Sequence, residues 1–215
     1  MSSCPLCSSK INTLYYMDKT GEYRRCSTCS LVFVLEEYYL DEKAEKARYD
    51  LHTNSCEDAG YRKYLTKVSD PLIKRLEKGA HGLDFGSGPG PTLSLIFEEA
   101  GFYMNIYDHF YARHEEVLEQ RYDFITSTEV VEHLYDPKTV LDKLWTLLDE
   151  NGFLCLLTQV YPDQEAFSSW YYKNDPTHVC FFSLKTLSWL AREFSAELEV
   201  LDKDLFIFKK VPYGN

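Results

Sequence analysis

Three groups of residues in this 215-residue chain have the types and spacing to do chemistry. The first is the run Leu83-Asp84-Phe85-Gly86-Ser87-Gly88-Pro89-Gly90. It reads as a buried strand ending on an acid, then a glycine loop, then a helix that starts at Pro91-Thr92-Leu93. Glycine lets the backbone take positive φ and come close to a ligand. Amides at the new helix's N-terminus face the loop, ready for an anion or polar group. Pro91 suits a first helical turn, where its missing N–H costs nothing. The spacing is G-x-G-x-G and so departs from the dinucleotide fingerprint G-x-G-x-x-G. A second acid, Asp108, ends the next strand, Asn105-Ile106-Tyr107-Asp108, 22 residues past Gly86. That is about where a carboxylate meets ribose hydroxyls in a doubly wound fold.

The second group is Glu129-Val130-Val131-Glu132-His133, directly after a strand end. On a helix, positions i, i+3 and i+4 share one face, so Glu129, Glu132 and His133 would point at one spot beside the crevice. Two carboxylates and an imidazole are ligands that hard or borderline divalent ions accept. His178, in Asp175-Pro176-Thr177-His178 after the next strand, is a fourth candidate, on the side of the sheet where loops bind ligands. The alternative is structural: a glutamate near a helix N-terminus is favoured by the dipole, and Thr126 could complete a capping box with Glu129. Without a metal, His133 or His178 remains a candidate general base, with Glu132 in the same cluster.

The third group is Cys4-Pro-Leu-Cys7 and Cys26-Ser-Thr-Cys29, two C-x-x-C knuckles separated by 18 residues. The spacing fits a closed four-thiolate zinc site, structural and without an open position for chemistry. A hairpin over Asn12–Arg25, turning at Thr20-Gly21, would bring the knuckles together. Some 35 residues bury too little apolar surface to fold alone, and a metal supplies the difference. Residues 1–35 therefore read as a zinc ribbon. Disulfides are disfavoured because no export signal precedes the pairs, and redox dithiols because no βαβ context surrounds them. Cys155 and Cys180 sit among apolar neighbours and read as inert core residues.

The glycine run and its partner acid resemble the class I S-adenosylmethionine-dependent methyltransferases, whose motif hhDhGxGxG matches Gly82 to Gly90. The resemblance covers roughly the last two-thirds of the chain. It implies that the glycine loop holds the methionine part of the cofactor and that the acid after the second strand holds the ribose. The cofactor-binding residues are then Asp84, Phe85, Gly86, Ser87, Gly88, Gly90 and Asp108, with Thr128 and Glu129 at the next strand end. The E-x-x-E-H cluster is similar to the metal-assisted O-methyltransferases of quinone biosynthesis and of small-RNA 3′ ends. Carried over, Glu129, Glu132, His133 and His178 would hold Mg²⁺ or another divalent ion that lowers the acceptor hydroxyl's pKa.

These groups need elements to position them. The expected fold is α/β: a Rossmann-like, doubly wound sheet with a C-terminal antiparallel hairpin, plus the small N-terminal zinc ribbon. The division is 1–35 for the ribbon, 36–78 for a helical linker or lid, and 79–215 for the methyltransferase domain. Glu36–Leu51 is charged and reads as a solvated linker helix; Gly60–Lys78 is a second helix, broken or kinked by Pro71. Strands are expected at Gly82–Phe85, Met104–Tyr107, Asp123–Thr126 and Phe153–Thr158, with Leu198–Leu201 and Leu205–Lys210 as the final hairpin. Helices are expected at Thr92–Ala100, Glu129–Leu134, Lys138–Leu148 and Leu184–Phe194. Only fourteen residues separate Asp108 from Asp123, so this edge of the sheet is trimmed and the family's adenine contacts have no counterpart to assign. The aromatic stretch Trp170–His178 lines a pocket or patches the core, and Arg48–Asn54 could fold over the site as a lid.

The formal charge of −11 disfavours nucleic acid, whose binders carry a basic field. No run of about 18 apolar residues exists, so no membrane span is expected. Seven cysteines without an export signal suit the cytoplasm. The expected function is methyl transfer from S-adenosylmethionine to an oxygen of a small molecule. Alternatives are an RNA methyltransferase with the ribbon as an RNA clamp, or a non-catalytic module that keeps the cofactor for stability and docks partners. Nothing in the sequence fixes an oligomeric state.

Overall fold

Alternating burial opens the strand Gly21–Cys26, where Gly21 and Tyr23 are buried and Glu22 and Arg24 half-buried; the alternation ends at exposed Arg25 and buried Cys26, where the chain enters the cysteine knuckle. The computed structural model describes residues 2–51 and 54–212. In chain order, β1 (Asn12–Asp18), β2 (Gly21–Cys26) and β3 (Val32–Val34) form the ribbon. Helices α1 (Glu42–Tyr49) and α2 (Ala59–Ile73) follow. Then come β4 (His81–Phe85), α3 (Thr92–Glu99), β5 (Tyr103–Tyr107), β6 (Tyr122–Thr128), α4 (Pro137–Leu147) and β7 (Leu148–Leu157). The C-terminal part holds α5 (Gln164–Phe167), β8 (Cys180–Phe181), α6 (Leu184–Glu193), β9 (Ala196–Asp202) and β10 (Leu205–Lys210).

The main sheet has the order β5-β4-β6-β7-β10-β9. Its first four strands are parallel, and β10 runs antiparallel to both β7 and β9. This is the expected Rossmann-like sheet with its C-terminal hairpin. Leu154–Leu157 and Leu205–Phe208 are buried without alternation, as in a sheet covered on both faces. The trimmed edge is also present: β5 is the outermost strand, and a 3₁₀ turn over Glu115–Glu119 is the helical element between β5 and β6.

Three expected helices differ. Of Glu36–Leu51 only Glu42–Tyr49 is α-helix, after a separate 3₁₀ turn over Glu36–Tyr38. α2 ends at Ile73, two residues after Pro71, five short of Lys78; the proline sits in the last turn. Glu129–Leu134 is not a helix. Glu129 takes φ +53, and only Val131–His133 form a 3₁₀ turn. Side-chain capping starts most of the others: Asp41 accepts from Ala44 N at 2.8 Å, Asp136 from Thr139 N at 3.1 Å, and Ser183 with Thr186 forms a reciprocal box.

The ribbon does not have a core of its own. Two-residue β8, from the far end of the chain, pairs with β3 through Val32–Phe181 and Phe33–Cys180 and completes a four-stranded sheet. Tyr15 and Tyr23 meet Phe167 edge-on at 5.2 and 5.3 Å, and Tyr23 packs on Phe181. Hydrophobic packing is continuous from Cys4 and Leu6 through these rings to Leu154 and Phe206. Among the described residues no helix is long and apolar enough to cross a membrane.

Candidate active site

The carboxyl ends of β4, β5 and β6 open into a cavity of about 710 Å³. Its floor is the glycine loop after β4. Gly86 N–H donates to Tyr107 O at 2.8 Å, and Gly88 N–H donates to Asp108 Oδ2 at 2.8 Å. Gly88 has φ +65, and a Cβ added there would meet nothing within 4 Å, so the loop presents bare backbone to open space. Gly90 is needed for a different reason: a Cβ there would overlap the carbonyl oxygen of Asn54, which closes over the loop. His52 and Thr53, the centre of the expected lid segment, lie outside the described residues.

Asp84 is buried beneath the loop and accepts from Thr126 Oγ1 at 2.8 Å. Burial, reinforced by the charge of Asp108, raises its carboxyl to about 6. Asp108 Oδ1 accepts from the amides of Phe110 and Tyr111 at 2.9 and 3.1 Å. Both of its oxygens therefore shape the loop, and the side chain still borders the cavity. Phe85 stacks on Tyr107 at 5.4 Å. Ser87 and Thr128 reach the cavity, and their hydroxyl oxygens are buried without a partner among the described residues. Each of the nine expected cofactor residues borders this one cavity.

The E-x-x-E-H residues come together by a different route from the expected helix. The tight turn sends Glu132 into the interior and His133 toward the cavity. Glu132 accepts from Thr158 Oγ1 at 3.0 Å and from the Tyr172 hydroxyl. Burial and the nearby charge of Glu129 push it up to about 8. Tyr172 Oη lies 3.0 Å from Glu129 Oε2 and also meets Glu132, so this one hydroxyl links the two glutamates, while Tyr64 Oη lies 3.2 Å from Glu129 Oε1. Burial raises the Glu129 carboxyl as well. His133 and His178 face each other with ring centroids 4.5 Å apart. His133 Nδ1 lies 3.2 Å from Thr177 O, and His178 Nδ1 lies 2.7 Å from Tyr172 O. A carbonyl can only accept, so both rings hold their proton on Nδ1 in the neutral state. Donor atoms of Glu132, His133 and His178 all lie within 4.8 Å of one another; Glu129 is outside that group.

Sequence reasoning missed the wall opposite the histidines. Glu36–Leu51 was expected as a solvated linker, but α1 inside it lies along the cavity and lines it with Glu42, Glu45 and Tyr49. These positions share a helical face at i, i+3 and i+7, a signal the run of charge obscured. Tyr49 meets His133 edge-on at 5.2 Å and donates to Glu45 at 3.1 Å. Of Trp170–His178, only Asp175 and His178 reach the cavity, while Trp170 packs on Phe167 and Phe181 in the core. Arg48 of α1 grips Asp175 at 2.8 Å. Against the cost of burial, Arg48 and Thr177 hold the Asp175 carboxyl well below the usual carboxylate range.

At the N-terminus, the sulfurs of Cys4, Cys7, Cys26 and Cys29 all lie within 4.8 Å of one another, and Cys4–Cys29 and Cys7–Cys26 approach to 3.5 and 3.4 Å. Four thiolates about 2.3 Å from a tetrahedral zinc ion stand about 3.8 Å apart, so the quartet fits that ion. Cys155 and Cys180 are buried, and burial raises both thiols.

Comparison with known proteins agrees with this architecture. The family model described as a methyltransferase domain matches residues 58–200. A ubiquinone biosynthesis O-methyltransferase of Shewanella sp. (strain ANA-3) is 31% identical over 86 residues, 40% of this chain and 36% of that protein. The aligned stretch thus spans about a third of the relative's length. Among solved structures, an O-methyltransferase family protein from Burkholderia thailandensis superposes with a TM-score of 0.53 at 10% identity, over 80% of this chain and 64% of the other. An S-adenosylmethionine-dependent methyltransferase, described as putative, from Methanococcus maripaludis gives 0.52 at 15% identity, over 81% and 95%. The glycine floor, the sheet and the matched family agree: the chain belongs to the methyltransferase domain family.

Proposed function

We propose that this enzyme methylates a hydroxyl oxygen of a small molecule that carries no negative charge, with the cofactor over Gly86–Gly90 and the acceptor between His133, His178 and α1. The observation that carries the proposal is the cavity wall. Glu42, Glu45, Asp84, Asp108 and Glu129 line it, with Asp175 beside them paired to Arg48, and no Lys or Arg lines it among the described residues. Such a wall attracts cations and repels carboxylates and phosphates. The same field, with the net charge of −11, stands against an RNA acceptor.

When bound, S-adenosylmethionine supplies a methyl group on an already reactive sulfonium. The chain then has to align the acceptor, keep the crevice dry and take up a proton. With Nδ1–H given to a backbone carbonyl, the Nε2 lone pair of His133 or His178 is the base that receives the hydroxyl proton. Glu132, sealed behind them, supports the turn that carries His133. A second reading has a specific observation behind it: Glu132, His133 and His178 could hold a divalent ion, which would lower the acceptor's pKa. Imidazoles that donate Nδ1–H to a carbonyl are the usual state of metal ligands. Two imidazoles and one carboxylate suit zinc-like ions better than Mg²⁺, which prefers oxygen. The N-terminal thiolates would hold a structural zinc ion.

The test is release of S-adenosylhomocysteine with three probes that share a catechol: dopamine, catechol and 3,4-dihydroxybenzoate. Turnover is expected with the first two and at least about tenfold lower kcat/KM with the third. Preference for the benzoate would overturn the charge assignment, and methylation confined to the dopamine amine would overturn the oxygen. His178→Ala should cut turnover about 10²- to 10⁴-fold and leave the S-adenosylhomocysteine Kd within about twofold.

A further inference from the structure

Lys173 has 3% of its side chain exposed, an unusual place for an ammonium group. Its Nζ donates to Asp18 Oδ2 at 2.7 Å and to Asn174 Oδ1 at 3.3 Å. It lies 5.1 Å from the ring centroid of Tyr16 and 5.9 Å from that of Tyr23. Asp18, Tyr16 and Tyr23 all belong to the ribbon hairpin β1–β2. Lys173 belongs to the 3₁₀ turn Tyr171–Asn174, which leads directly into Asp175 and His178. The ribbon grips this segment again at its far end, where Val34 N–H donates to Val179 O at 2.9 Å and β3 pairs with β8. On the opposite side Asp175 holds Arg48 of α1. Polar contacts thus hold this segment at two nearby points, to the ribbon through Lys173 and to α1 through Asp175, two residues further along the backbone.

We propose that Lys173 is a positioning residue, through which the ribbon hairpin fixes the segment 171–178 and so places His178 and Asp175 against the acceptor. The proposal rests on the acceptor side assigned above. It gives the ribbon a role in the reaction that needs no contact between ribbon and substrate. A hydrophobic filler would stabilise such a buried site as well as an ion pair does, so the pair's use lies in orientation. Among the described residues neither Lys173 nor Asp18 lines the cavity over the glycine loop or bonds to that loop, so the loop should not sense the pair.

The experiment is hydrogen exchange on the full chain, wild type against Lys173→Met and Asp18→Asn, with S-adenosylhomocysteine affinity measured alongside. The amides of His178 and Val179 report the segment, since they donate to Asp175 O and Glu132 O. They should exchange at least about tenfold faster in both variants, while amides of β4, β6 and β7 stay unchanged. Lys173→Arg should restore protection, and S-adenosylhomocysteine affinity should stay within about twofold of wild type. Unchanged exchange at His178 and Val179, or acceleration spread evenly over both sheets, overturns the proposal. Should Lys173→Met fail to fold, Asp18→Asn, altering the more exposed partner, carries the same comparison. Loss of S-adenosylhomocysteine binding in the wild type would count against the cofactor assignment and leave the exchange result to judge Lys173.

Discussion

Glu132 is fully buried, it accepts from two neutral hydroxyls, and the charge of Glu129 stands close by. Its folded carboxyl is raised to about 8 from an ordinary value of 4.5. The folded chain therefore keeps a proton that the unfolded chain releases. The stability this confers is fully present below about pH 4.5 and is lost as pH rises through about 8. Thermal midpoints of wild type should fall across that window, and Glu132→Gln, which stays neutral, should flatten the fall; an unchanged slope would contradict the burial argument. At Gly88 the expected effect is on binding. A side chain at φ +65 costs about 1–2 kcal/mol, and its Cβ would enter the cavity. Gly88→Ala should weaken S-adenosylhomocysteine at least about tenfold by calorimetry, and undiminished affinity would remove Gly88 from the cradle. Asp84, Gly86 and Gly88 were readable in sequence because a glycine loop after an acid has few other uses. Glu129–His133 were readable as chemistry but misplaced as a helix, because a non-glycine residue at positive φ leaves no mark in the sequence.

At the scale of elements, the strands were the most readable. Apolar runs such as Phe153–Leu157 and Leu205–Phe208 can only be buried strands in a chain of this length. β8 was not readable, since two residues carry no periodicity and it exists only because β3 offers an edge. The cavity-facing row of α1 was hidden because two of its three members, Glu42 and Glu45, are charged like the rest of the helix. The ribbon's own stability should depend on its metal, because β1–β3 enclose little apolar surface without β8. Metal analysis should return one zinc ion per chain. Cys29→Ser should lower both the zinc content and the thermal midpoint by more than about 5 °C. Full metal-free protein with an unchanged midpoint would contradict a structural zinc site.

For the whole molecule, charge and topology act together. Acids from five separate segments meet in one cavity: Glu42 and Glu45 of α1, Asp84, Asp108 and Glu129 at the sheet's carboxyl edge, and Asp175. Discrimination against 3,4-dihydroxybenzoate should therefore weaken as salt rises from about 0.05 to about 0.5 M, since screening shortens the field. Packing that runs from the ribbon to the catalytic sheet places the acceptor turn where both can hold it. The most direct measurement is a crystal structure of the full chain with S-adenosylhomocysteine. The ligand should lie over Gly86–Gly90, with its sulfur facing the gap between His133 and His178. A ligand bound elsewhere, or one whose sulfur points away from both imidazoles, would contradict the assignment of this cavity as the place of methyl transfer.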